Sequence, residues 1–183
     1  MTRMTPLLDR NEQFARTYTP VPLGPPTAQV FIVTCLDHRV DPAILFGFQL
    51  GEVPVIRNAG GRVTEAVIED IAYIGFLAEQ LFGGQLDDDR LFEVAILHHT
   101  QCGTSLLADP GFRRRAAEAT GRPEAALEAS AVTDPYITVK ADVERLLASP
   151  RLSPKVSVSG HVYDIETGRV TTALDAQYPV PAA

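Results

Sequence analysis

The sequence is poor in cysteine, in basic charge and in long apolar runs, and each shortage removes a class of protein. Only two cysteines, Cys35 and Cys102, occur among 183 residues. A chain of this length buries a sizeable core without covalent staples, so no disulfide is needed and two free thiols suit a reducing compartment. Basic residues number 16 against 23 acidic, a net charge of -7. The counterion release that drives nucleic-acid affinity has no footprint in that balance, which argues against DNA or RNA as a partner. The longest apolar runs, Val30 to Val33 and Ile71 to Ala78, fall far short of the ~20 residues that cross a bilayer. The first residues run into Asp9, Arg10, Asn11 and Glu12 with no apolar stretch of a secretory signal, so a cytoplasmic location is expected.

With no repeat, low-complexity tract or dividing linker, residues 1–183 read as one domain, in which 1–28 form a helical segment and an extended arm. Residues 6–18 suit a short amphipathic helix with Leu7, Leu8 and Phe14 as its apolar side, and four prolines in 19–26 end it. Gln29 to Thr34 is a near-continuous apolar strand of the kind that is covered on both faces in a parallel sheet. Val53 to Ile56 and Glu93 to His98 read as further strands. Between them, Val67, Ile71, Ile74 and Ala78 recur at helical spacing, with Thr64 as N-cap.

Strand, helix and strand at this spacing predict a right-handed parallel crossover. Helical patterns follow at 104–108, 111–120, 123–130 and 137–148, the last with Val139, Val143, Leu146 and Leu147 as its stripe. Lys155 to Asp164 alternates like a strand and turns at Glu166-Thr167-Gly168 into Arg169 to Leu174. The fold class is therefore α/β, a central, mainly parallel sheet flanked by helices. Leu45, Phe46, Phe48, Tyr73 and Phe76 are expected in the core, and Asp87-Asp88-Asp89-Arg90 as a solvated loop.

Open α/β sheets carry their chemistry just beyond the carboxyl ends of the strands, and both cysteines stand at such ends. Cys35 closes the first strand; Cys102 follows the third by a tight turn that also holds His99. Two thiolates and one imidazole with a position left open form a recognised catalytic zinc set. Gly103 suits a sharp turn into a helix whose dipole would favour the Cys102 thiolate. His98, at the end of a buried strand, reads as a core or supporting histidine rather than a ligand; His38 and His161 read as exposed or structural, with His38 a candidate proton shuttle.

Cys35-Leu36-Asp37-His38-Arg39, Arg57-Asn58-Ala59-Gly60 and His99-Thr100-Gln101-Cys102-Gly103 stand in that order at three strand ends. In this the chain resembles the β-class carbonic anhydrases, and Gly160-His161-Val162-Tyr163-Asp164 with Thr167-Gly168 resembles that family's last strand pair. The resemblance implies zinc ligation by Cys35, His99 and Cys102, and a catalytic dyad of Asp37 and Arg39. It implies reversible hydration of carbon dioxide to bicarbonate and a proton by a zinc-bound hydroxide, with Asn58, Ala59, Gly60 and Gly103 around the substrate. It also implies a homodimer or higher homo-oligomer, and allows an inactive state in which a freed Asp37 takes the fourth zinc position.

The same site would serve hydrolysis of carbonyl sulfide or carbon disulfide, and a zinc-stabilised binding or sensor domain without turnover is the alternative from another class. His98 and Gln101 depart from the family, where many members have glycine and aspartate.

Overall fold

The computed structural model describes residues 2–82 and 90–180. Five strands form one sheet: β1 (Val30–Cys35), β2 (Val55–Asn58), β3 (Phe92–His99), β4 (Val156–Asp164) and β5 (Arg169–Gln177). Their order across the sheet is β2-β1-β3-β4-β5; the first four run parallel, and β5 returns antiparallel from β4 through the expected turn. The helices are α1 (Thr5–Ala15), α2 (Pro42–Phe46), α3 (Glu65–Phe82), α4 (Pro110–Thr120), α5 (Glu124–Ala129) and α6 (Pro135–Leu147), with 3-10 turns at Ala59–Gly61 and Gly103–Ala108.

The main core lies between one face of the sheet and two helices. Phe31, Val33, Val94, Ile96, Val158 and Val162 meet Val67, Ile68 and Ile71 of α3 and Val139, Val143 and Leu146 of α6. The strand pattern and the helical stripes thus bury the same surface. Thr64 caps α3 as expected, accepting from the Val67 amide. Gly160 brings α6 close to the sheet, because a β-carbon there would stand 3.1 Å from Val143 Cγ2 and 3.3 Å from Val139 Cγ2. The opposite face centres on Ile32, Val40, Leu97 and Tyr163 and is covered in part by Leu45 and Phe48.

Several expectations are corrected. Phe46, Tyr73 and Phe76 are exposed rather than core: on α3 the buried stripe is Val67, Ile68, Ile71 and Gly75, and the two aromatics stand outside it. None of the α1 residues is buried, so Leu7, Leu8 and Phe14 form an apolar side that stays largely exposed. The short α2 has no periodicity to announce it; Asp41 caps it, Pro42 opens it and Gly47 ends it in the left-handed region. Asp87, Asp88 and Asp89 lie outside the described residues.

Candidate metal centre

Parallel pairing brings the carboxyl ends of β1, β2 and β3 to one edge. Cys35 is opposite Asn58, and Thr34 is opposite Leu97, which places His99 just past the cysteine on the neighbouring strand. The turn after β3 then returns Cys102 to the same point. One ligating atom from each of Cys35, His99 and Cys102 lies within 4.8 Å of the other two, and all three residues are buried. The two sulfurs are 3.9 Å apart, with Val132 packed against both residues.

This donor set fits a metal cation. His99 Nδ1 donates to the Thr100 carbonyl at 2.8 Å, which fixes the tautomer and leaves the Nε2 lone pair facing the sulfurs. That Nε2 is buried and, among the described residues, has no hydrogen-bond partner; such an orphaned atom is costly unless something else satisfies it.

The thiols point the same way. Its hydrogen bond to Cys102, together with burial, pushes the Cys35 thiol up to about 11, whereas Cys102, accepting from Cys35 and helped by Thr104 against burial, is brought down to about 6. Thr104 Oγ1 lies 3.1 Å from the Cys102 sulfur, and the Asp37 amide donates to the Cys35 sulfur at 3.4 Å. One thiolate therefore forms readily and opposes a second, so holding both calls for added positive charge, which a bound cation provides.

At the rim, Asp37 and Arg39 form a bidentate pair: Nε donates to Oδ1 at 2.9 Å and Nη2 to Oδ2 at 2.5 Å. The hydrogen bonds from Arg39 outweigh partial desolvation and hold the Asp37 carboxyl well below the usual carboxylate range. Asp37 Oδ2 is 4.0 Å from His99 Nε2, so the carboxylate faces the Cys35, His99 and Cys102 cluster while Arg39 holds it. His38 is exposed, its Nδ1 3.8 Å from Asp37 Oδ1. A cleft lined by Leu36, Asp37, His38, Ala59, Gly60, Gly103 and Thr104 opens onto the two cysteines.

Of the residues expected around the substrate, Ala59, Gly60 and Gly103 line this cleft and Asn58 does not. The Asn58 side chain instead bridges the turn, accepting from the Arg62 amide at 2.9 Å and donating to the Arg62 carbonyl at 2.8 Å. The helix after Gly103 is a 3-10 turn with Cys102 at its N-cap, too short to exert much of a dipole. The positive φ of the turn between His99 and Cys102 falls on Gln101, at 53°, rather than on Gly103. Arg39 Nη2 donates to the Gln101 carbonyl at 3.1 Å and Gln101 Nε2 to Glu166 at 2.7 Å, which hold that strained residue in place.

Residue patterning alone did not reveal the role of Arg57. Its Nε donates to the Cys35 carbonyl at 3.0 Å, and its Nη2 to the carbonyls of Asp37 at 2.7 Å and Val40 at 2.8 Å. The arginine of the second motif is thus a clamp on the loop of the first.

Comparison with known proteins agrees with this architecture. Residues 30–170 match the family model described as carbonic anhydrase. The chain is 33% identical over 172 residues to β-carbonic anhydrase 1 of Mycobacterium tuberculosis, covering 93% of this chain and 97% of the relative. It is 26% identical over 169 residues to a carbon disulfide hydrolase of an Acidianus species, covering 80% and 78%. Among solved structures, carbonic anhydrase from Streptococcus mutans superposes with a TM-score of 0.77 at 29% identity, covering 94% of this chain and 98% of that one.

Proposed function

The chain belongs to the β-class carbonic anhydrase family, and from that premise we propose that it catalyses the zinc-dependent, reversible hydration of carbon dioxide to bicarbonate and a proton. The observation that carries this reading is the convergence of Cys35, His99 and Cys102 beneath a carboxylate already paired with arginine. These three residues would hold the ion. When bound, zinc would supply the Lewis acidity that lowers the pKa of water, less strongly with two thiolates and one imidazole than with three imidazoles.

The rest falls to the chain's own side chains. Asp37 accepts a hydrogen bond from the attacking water and aims its lone pair at the substrate carbon; Arg39 keeps that carboxylate ionised and fixed in direction. Leu36, Ala59, Gly60 and Gly103 offer a small, mostly apolar wall suited to an uncharged linear substrate. His38, at the cleft mouth, takes the released proton to solvent.

Residues 1–183 act in this reading as one catalytic domain. The protein is a cytoplasmic homodimer or higher homo-oligomer with no nucleic-acid or membrane partner. Leu7, Leu8 and Phe14, exposed on a helix with no buried residue, support self-association. No described helix is long and apolar enough to cross a membrane.

A stopped-flow hydration assay on zinc-loaded protein tests the activity, with Asp37→Asn and Cys102→Ser as controls. Wild-type turnover well above buffer, falling in both variants, supports the reading. A rate equal to buffer overturns it, and release of hydrogen sulfide from carbon disulfide in the same experiment would point to the chemistry named for the Acidianus relative.

A further inference from the structure

Behind the metal centre lies a polar cluster that the proposed chemistry does not use. Asp142 is almost fully buried on α6, among Val139, Val143 and Leu146, the apolar residues that face the sheet. Arg62 reaches it with two contacts, Nε to Oδ2 at 2.7 Å and Nη2 to Oδ1 at 3.1 Å. The third arm of the same guanidinium, Nη1, donates to the carbonyls of Ala129 at 2.8 Å and Ala131 at 3.2 Å. His98, fully buried, places Nε2 3.2 Å from Asp142 Oδ2 and 3.2 Å from the Gly61 carbonyl, with Nδ1 2.9 Å from Thr138 Oγ1 on α6.

Each segment gathered here touches the ligand set from behind. The Gly61 backbone packs on β1 at Thr34 and Cys35. His98 immediately precedes His99. The 129–132 segment carries Val132, which packs on Cys35 and Cys102. A buried ion pair is weak evidence for stability, since apolar residues of similar volume often serve as well. Its placement, joining by hydrogen bonds three segments that meet at the ligands, accounts for it better.

We propose that Asp142 is a positioning residue of the metal centre: through Arg62 and His98 it sets the spacing of the segments that carry Cys35 and His99. The proposal rests on the reading of those residues as zinc ligands. It predicts that removing the charge without changing the shape loosens the ligand set while all three ligands remain.

The test compares Asp142→Asn with Val143→Ala, a truncation of the adjacent buried residue on the same helix. Zinc release to a chromophoric chelator and the absorption bands of the cobalt(II)-substituted protein are the readouts. D142N is expected to release zinc roughly tenfold to a hundredfold faster and to shift the cobalt bands, the scale usual for residues that support metal ligands from behind. V143A is expected to lower the melting temperature and leave both readouts unchanged.

Wild-type release and spectrum in D142N, or equal changes in V143A, overturn the proposal. If D142N does not fold, Arg62→Lys serves instead: it keeps the charge but not the bidentate contact, and must shift the same two readouts for the proposal to stand. Wild-type zinc content, measured first, separates the two failures. A chain that binds no zinc overturns the zinc reading, whereas a zinc-bound wild type that D142N matches overturns only the role of Asp142.

Discussion

A β-carbon on Gly61 would stand 2.9 Å from the backbone nitrogen of Cys35, and Gly61 itself has a φ of 67°. Space and backbone conformation therefore demand glycine at the same position, against the strand end that carries Cys35. Gly61→Ala should cost about 2 kcal/mol or more, combining left-handed strain with overpacking. The substitution should also lower zinc content, because its displacement is transmitted to Cys35. Urea unfolding and metal analysis of the purified variant check both.

Arg57 ties three carbonyls of the 35–40 loop with a single planar group. A lysine offers a point charge and cannot reproduce that fork. Arg57→Lys should reduce hydration activity about tenfold or more while Asp37 and Arg39 remain present. Stopped-flow turnover normalised to bound zinc measures the effect; unchanged turnover would remove the clamp from the account.

The pH dependence of stability follows from the direction of the Asp37 shift. Arg39 lowers the folded-state pKa of this carboxyl below its unfolded value. The pair's contribution is thus fully present above the ordinary aspartate pKa of ~3.9 and is lost as pH falls through the folded value. Asp37→Asn should be less stable than wild type by about 1 kcal/mol at neutral pH, scaled for a partly exposed pair. The gap should narrow below about pH 4. Chemical denaturation at several pH values gives the comparison.

Arg39 holds the Asp37 carboxylate in a bidentate pair, 4.0 Å from His99 Nε2, the nitrogen proposed to bind zinc. Arg39→Met should release it. Zinc X-ray absorption of the variant should show an added or exchanged oxygen ligand relative to wild type, with hydration activity falling at least tenfold. An unchanged coordination set in an inactive variant would assign Arg39 a different task.

The strands and their functional ends were legible in the sequence because a parallel strand is written as an uninterrupted apolar run and its chemistry follows within a few residues. Cys35, His99 and Cys102 could be read together for that reason. Arg57 could be named but not understood, since its partners are backbone carbonyls, which leave no trace in side-chain patterning. Asp142 and Arg62 are 80 residues apart, and only packing of α6 on the sheet makes them neighbours. Tyr73 and Phe76 look like core residues by composition, yet the buried face of α3 is taken by Val67, Ile68 and Ile71.

Cys35 and Cys102 are 67 positions apart in the chain, while His99 and Cys102 share one turn. Of these three residues, an unfolded chain can present only the local pair at close range; Cys35 arrives when β1 settles beside β3. On the proposed ligand set, this ordering would make the metal a late acquisition in maturation. A zinc ion held as proposed would gain its full complement of ligands only from chains whose parallel crossover is already complete, and so would bias the population toward finished molecules without guiding the earlier steps.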